Sequence, residues 1–249
     1  MTSFKTRITQ IASQKGKVIL ANDYDNTKNK LETKTIKNIK TLNKYLCGIK
    51  LNFQLLLPLG FKEISNINKI AHKYNLQSIA DIKLNDIGNT NSITVETLWN
   101  LGFDAVIVNP IMGQNSLKKL ISLAHKKNKG IIALCHMSAP EAKSSYEMNV
   151  KAEKTKKQTK LYQLFLKWSI SHKADGIIVG ATFPEIIKFC KSNIKNSMNI
   201  YSPGIGVQGG KVKQVLSSGT DFLIIGRAIL NAKNPINEAK KFQKLSFAK

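Results

Sequence analysis

Three charged side chains crowd the stretch DIKLNDIGNT: Asp81, Lys83 and Asp86 fall within six positions. They follow LQSIA, an apolar run that reads as a buried strand. Desolvating a charge is costly unless the charge is paired or put to use. These residues are therefore either a structural ion-pair cluster or a reaction centre. An ammonium held among carboxylates stays protonated, because each charge favours its neighbour's ionised form. Such a group can donate a proton. Two carboxylates beside one reacting centre would also repel a carboxylate carried by a substrate.

The elements that must position these groups are legible as short, β-branched runs. KVILAN (17–22), CGIKLN (47–52), LQSIAD (76–81) and DAVIVN (104–109) are followed by GIIALC (130–135), DGIIVG (175–180), NIYS (199–202) and DFLIIG (221–226). Segments of helical length and period lie between them, such as KTIKNIKTLNKYL and NSLKKLISLAHKK. Continuous apolar strands alternating with helices imply parallel strands covered by helices. Eight such units in 249 residues predict an α/β fold, a (β/α)8 TIM barrel, with an open doubly wound sheet as the alternative. No Pro/Gly/Ser-rich linker divides the chain, so residues 1–249 read as one domain. The lysine-rich stretch 149–160 reads as a solvated surface loop, a candidate lid.

Catalytic groups of such a barrel gather at the C-terminal strand ends. Those ends supply Asp23 after strand one, Lys50 on strand two, Asp81 and Lys83 on strand three, and Ser138 after strand five. Lys50 in an apolar strand is hard to explain unless it is paired, since lysine is almost never buried alone. Strand seven runs into PGIGVQGG (203–210), and strand eight into Gly226-Arg227. Glycines let backbone N–H groups approach an anion, and arginine grips phosphate through paired hydrogen bonds. A phosphate site after strands seven and eight is frequent in this fold.

Other features point elsewhere. The formal net charge of +24 raises the possibility of a nucleic-acid partner. The lysines, however, are spread along the chain, with no concentrated arginine block and no zinc-finger spacing, so a solvated surface is the simpler reading. Cys47, Cys135 and Cys190 are odd in number and far apart, which favours free thiols in a reducing compartment. No run reaches the length of a membrane span, and the first residues hold no apolar signal core, so a cytoplasmic protein is expected. His136 follows Cys135, but adjacent strand residues point to opposite faces, so the pair supports neither a metal site nor a Cys–His nucleophile. His72, His125 and His172 fall in helical segments and read as surface or packing residues.

DIKLNDIGNT resembles the D-x-K-x-x-D-I-x-x-T signature of the orotidine 5′-phosphate decarboxylase family. LAND, IKLNFQLLLPLG, VNPIMG, VGATFPE, SPGIGVQGG and IIGRAI resemble further family segments, in family order, so the likeness spans nearly the whole barrel. Asn22, Phe183 and the stretch 149–160 depart from the usual pattern without removing a catalytic position. The resemblance implies a catalytic set of Lys50, Asp81, Lys83 and Asp86, with Lys83 protonating C6 as carbon dioxide leaves. It implies that Asp23 and Lys50 contact the ribose, that Ser138 reads the pyrimidine edge, and that Gln208, Gly226 and Arg227 hold the phosphate beside Pro203. Asp86 and Thr90 would be donated to the site of a second subunit in a homodimer. No metal or organic cofactor is implied. Related barrels that share the D-x-K-x-x-D core use its acids to hold Mg²⁺ in sugar-phosphate chemistry, which is the main competing expectation.

Overall fold

The computed structural model of the protein describes residues 2–24, 30–151, 158–206 and 210–247. Eight parallel strands close into a barrel: β1 (Val18–Ala21), β2 (Gly48–Asn52), β3 (Gln77–Leu84), β4 (Ala105–Val108), β5 (Gly130–His136), β6 (Gly176–Val179), β7 (Asn199–Ser202) and β8 (Phe222–Ile225). Each strand pairs with its neighbour in sequence, and β8 closes the ring on β1 through Val18 opposite Leu223. Every expected strand is present, with ends moved by a few residues at most. The outer layer comprises α2 (Leu31–Leu42), α3 (Phe61–Lys73), α4 (Gly88–Asn100), α5 (Gln114–Lys126), α6 (Leu161–Ser171), α7 (Pro184–Ile194), α8 (Val212–Ser217) and α9 (Pro235–Phe247). Their apolar stripes face the strands; in α3, Ile64, Ile67 and Ala71 are buried at helical spacing. No described helix is long and apolar enough to cross a membrane.

A further helix, α1 (Phe4–Lys15), lies across the N-terminal end of the barrel. Ser3 caps it by accepting the Thr6 N–H. Phe4 and Ile8 are fully buried beneath the strands. Gly130 opens β5 against this plug, and a Cβ there would sit 2.2 Å from Phe4 Cδ1, so only glycine fits. Arg7 binds Gln77 at the start of β3, the Asn128 carbonyl and Asp104.

One device recurs at this end. Asp104, Asp175 and Asp221 stand directly before β4, β6 and β8. Each donates its backbone N–H to a carbonyl of the preceding strand, at Ser78, Ile131 and Ile200. Each carboxylate accepts the N–H of that same residue, at 2.9, 2.9 and 2.8 Å. Basic partners occupy the other side: Arg7 and His72 on Asp104, His125 on Asp175, and Lys191 on Asp221. Cys47 holds the matching place before β2 and directs both its N–H and its thiol to Val18 O. His72 and His125, expected as surface or packing residues, are thus half-exposed ligands of strand-start aspartates.

The stretch 149–160 differs from its expectation as a loop. Asn149–Lys151 pairs antiparallel with Gln158–Lys160, while residues 152–157 lie outside the described residues. The ladder continues where Leu161 N–H reaches Met148 O and Tyr162 N–H reaches Tyr146 O. A cross-strand pair, Lys160 Nζ to Glu147 Oε2 at 2.9 Å, fixes its base.

Candidate active site

The C-terminal strand ends bring four charges into one chain of contacts. Lys50 on β2 lies opposite Ala21 of β1 and Ile79 of β3, deep in the ring. Its Nζ is 2.8 Å from Asp81 Oδ2 and 3.6 Å from Asp23 Oδ1. The other oxygen of Asp81 accepts from Lys83 Nζ at 2.8 Å. The signs alternate along Asp23, Lys50, Asp81 and Lys83. The Lys50 and Asp81 side chains are sealed, at 7% and 9% exposure, whereas Lys83 is 45% exposed. Burial alone would push the Asp81 carboxyl up, but the Lys50 and Lys83 ammoniums outweigh it and hold it at about 2. Burial likewise opposes the Lys50 charge, and Asp81 and Asp23 together raise its pKa above the ordinary lysine value. Each Asp81 oxygen faces one ammonium, and Lys83 is the more exposed of the two cations.

Local backbone geometry sets Lys83 in place. The β3–β4 register shifts between Asp81 and Leu84, leaving Ile82 and Lys83 bulged. Lys83 adopts φ +46°, a left-handed conformation unusual for lysine. Such a residue costs on the order of 1–3 kcal/mol and persists where its surroundings hold it. The ladder on both sides and the Asp81 contact supply that hold. Strain of this kind concentrates at working sites.

A cavity of about 230 Å³ opens beside these charges, lined by Lys50, Asp81, Lys83, Met137, Ser138, Ala139 and Pro203. Its floor is apolar: Ile107, Leu134, Ile178 and Ile224 rise from β4, β5, β6 and β8. A second lobe of about 160 Å³ shares Lys50, Ser138, Pro203 and Ile224 and extends to Asp23, Gly204, Gly226 and Arg227. The two lobes therefore form one cleft, charged and apolar-floored at one end and lined by glycine and arginine at the other. Ser138 approaches β6 so closely that a Cβ on Gly180 would lie 2.5 Å from Ser138 Cα. Gln208, expected at the phosphate end, lies outside the described residues.

Beside Asp23, Asn22 is fully buried. The Tyr24 hydroxyl donates to Asn22 Oδ1 at 3.1 Å, accepts from Asn38 Nδ2 at 3.0 Å and lies 3.0 Å from Thr35 Oγ1. This knot ties the end of β1 to α2. The floor isoleucines and the Tyr24 knot carry no charge signal and were not anticipated. The repeated third position of AVIV, GIIV and FLII is the trace the floor leaves in the sequence.

Asp86 and Thr90 stand apart from the cleft. Both are exposed, at the entry and in the first turn of α4, and neither lines either lobe. Asp86 Oδ1 accepts the Ile87 N–H at 2.6 Å, and among the described residues it has no cationic partner. The site thus gathers Asp23, Lys50, Asp81, Lys83, Ser138, Pro203, Gly226 and Arg227, and leaves Asp86 and Thr90 facing outward. His136 and Cys135 do not follow simple alternation. The β5–β6 register shifts between Leu134 and His136; Cys135 Sγ reaches Tyr162 O at 3.2 Å, and the His136 ring packs on the Tyr162 ring.

Comparison with known proteins matches residues 16–242 to the family described as orotidine 5′-phosphate decarboxylase / HUMPS. The chain belongs to that family. A relative from Methanococcus maripaludis named orotidine 5′-phosphate decarboxylase is 35% identical over 214 residues, 85% of this chain and 91% of the relative. One of the same name from Pyrococcus abyssi is 32% identical over 210 residues, 84% of this chain and 91% of the relative. The solved orotidine 5′-monophosphate decarboxylase of Methanocaldococcus jannaschii, complexed with the inhibitor BMP, superposes with a TM-score of 0.79 at 28% identity. That alignment covers 93% of this chain and 99% of the other. The orotidine 5′-phosphate decarboxylase / HUMPS match begins at Gly16, so the α1 plug lies outside it.

Proposed function

We propose that the protein decarboxylates orotidine 5′-phosphate to UMP, the last step of pyrimidine synthesis, without metal or organic cofactor. The observation that carries this reading is the Asp23–Lys50–Asp81–Lys83 chain, with the exposed Lys83 ammonium beside an apolar-floored cavity. The pyrimidine would lie over the isoleucine floor with its 6-carboxylate against Asp81. Ionised Asp81 disfavours a second carboxylate beside it. The bond from C6 to the carboxylate breaks, carbon dioxide leaves, and the electron pair stays on C6. The Lys83 ammonium stabilises that charge and then delivers its proton to C6, regaining one from solvent. Ser138 would read the pyrimidine edge, Asp23 and Lys50 the ribose, and Gly226, Arg227 and Gln208 the phosphate beside Pro203. Binding energy from the phosphate end can then be spent on the chemical step.

Asp86 and Thr90 complete the partner's site in a homodimer on this reading. Their outward placement supports it, as does the apolar surface around them. Ile87, Ile93 and Ile111 are exposed near them, with Phe53 and Leu57 on the adjacent β2 loop. The three buried free thiols fit a cytoplasmic setting.

The family description also covers hexulose-phosphate chemistry, in which such acids hold Mg²⁺. Here both Asp81 oxygens already face ammoniums, which would repel a divalent ion. Orotidine 5′-phosphate added to purified, EDTA-treated protein should lose its characteristic absorbance. No loss with EDTA and restoration by Mg²⁺, or turnover of a hexulose phosphate alone, would replace this reading with the other.

A further inference from the structure

Of the two carboxylates in the charge chain, Asp81 is fixed by its own hydrogen bonds and Asp23 is not. Each Asp81 oxygen accepts from an ammonium at 2.8 Å. Asp23 Oδ1 is buried 3.6 Å from Lys50 Nζ and accepts no hydrogen bond among the described residues. Asp23 lines the second lobe of the cleft beside Gly226, where a Cβ would lie 3.2 Å from Asp23 Oδ2. A carboxylate with acceptor sites left over can receive a hydrogen bond from a ligand hydroxyl. Its aim must then be set by the backbone that carries it.

That backbone is pinned on both sides of Asp23. Ala21 and Asp23 face the cleft, while Asn22 and Tyr24 turn outward, as strand alternation directs. Before Asp23, the Asn22 N–H donates to Lys50 O at 3.1 Å. After it, Tyr24 O accepts from Gln54 Nε2 at 2.9 Å. The Tyr24 hydroxyl joins Asn22 Oδ1 at 3.1 Å to Asn38 Nδ2 and Thr35 Oγ1 on α2, each at 3.0 Å. Thr35 is itself tied to Leu31 O at 2.8 Å, and Lys34 Nζ stands 4.2 Å above the centre of the Tyr24 ring. The neighbours of Asp23 are thus bonded to each other across it, and both to α2. Asn22 is fully buried and its Nδ2 finds no partner, a loss of stability that leucine would avoid. We infer that Tyr24 is a positioning residue: by bridging Asn22 to α2 it aims the Asp23 carboxylate at the ribose and so sets recognition of the sugar hydroxyls. The inference rests on the proposed function, which places the ribose at Asp23.

The test compares binding of UMP with that of 2′,3′-dideoxy-UMP, which keeps the base and phosphate and lacks both sugar hydroxyls. In Tyr24→Phe the ratio of the two affinities should fall about three- to tenfold, as for a weakened hydrogen bond, while affinity for the dideoxy compound stays level. Asp23→Ala should lower the ratio at least as far, and adding Tyr24→Phe to it should lower the ratio no further, because Tyr24 acts through Asp23. Asn22→Leu keeps the volume and removes the unpartnered amide. It should hold its unfolding midpoint, shift the ratio in the same direction, and stand in if Tyr24→Phe does not fold. Without ligand, hydrogen–deuterium exchange of the Asn22 amide should quicken in Tyr24→Phe. An unchanged ratio in both Tyr24→Phe and Asn22→Leu, equal losses of affinity for the two nucleotides, or a further fall in the Asp23→Ala background would overturn the inference. If exchange quickens but the native protein neither binds UMP nor consumes orotidine 5′-phosphate, Tyr24 still positions Asp23 and the functional reading falls.

Discussion

Lys83 and Asp81 share one hydrogen bond but differ in what their removal should do. Lys83 is half-exposed, so Lys83→Ala should leave the fold intact and remove the proton donor. General acid catalysis contributes roughly 10²–10⁴-fold, so turnover should fall by at least about a hundredfold while thermal unfolding barely moves. Retention of more than a few per cent of native turnover would take Lys83 out of the chemistry. Asp81→Asn should act on stability as well. It leaves buried Lys50 with Asp23 alone, 3.6 Å away. Breaking a buried pair costs about 3–5 kcal/mol, so the unfolding midpoint should drop by roughly ten degrees. The sign in pH follows from the Asp81 value of about 2. A depressed carboxyl adds stability above its unfolded value, near 4, and loses that contribution as pH falls toward the folded one. Acid unfolding of the native protein should therefore steepen below about pH 4, and that excess should vanish in Asp81→Asn. The types and order of these charges were legible in DIKLNDIGNT. The bulge that aims Lys83 was not, because lysine carries no mark of a left-handed backbone as glycine or asparagine would.

Between elements, the strand-start aspartates set a different pH dependence. The hydrogen bond to Asp175 raises the His125 pKa above its ordinary value, against the opposing effect of burial. A raised imidazole contributes stability below its unfolded value, near 6.5, and loses it as pH rises through the folded one. His125→Gln should thus lower the unfolding midpoint at about pH 5.5 and much less at about pH 8.5. Thermal scans of both proteins at the two pH values decide it; an equal deficit at each would mean the imidazolium charge adds nothing. All eight strands could be read from continuous β-branched runs, since strands buried on both faces leave that signature. The aspartate device was present in DAVIV, DGIIV and DFLII but went unrecognised as a repeat. Loops of unequal length separate the copies, so no fixed period exposes them. The pairing of 149–151 with 158–160 escaped for a related reason: a lysine-rich stretch looks solvated whether or not it pairs. The cleft was half legible for the same cause, its charged rim read directly and its apolar floor indistinguishable from core.

For the molecule as a whole, the outward Asp86 makes the proposed homodimer testable. Lys83 would serve its own cleft and Asp86 the partner's, and both side chains are accessible enough to replace without unfolding the barrel. Lys83→Ala and Asp86→Ala homodimers should each be nearly inactive. In a mixed dimer one site receives both lesions and the other neither. Random mixing makes about half the dimers mixed, so co-refolding should restore roughly a quarter of native activity. No gain, with mixed dimers demonstrated by native mass spectrometry, would place Asp86 in its own subunit's work or in none. The α1 plug raises a matter of timing. Phe4 seats beneath Gly130, and Arg7 holds Gln77, Asp104 and Asn128. At about 5–20 residues per second, a ribosome makes Gly130 roughly 6–25 s after Phe4. For that interval the greasy stripe of Phe4, Ile8 and Ile11 has no seat, and a holding chaperone has a segment to grasp. This helix waits for a strand made long after it, and the N-terminal end of the barrel stays open on the nascent chain until the fifth strand has been translated.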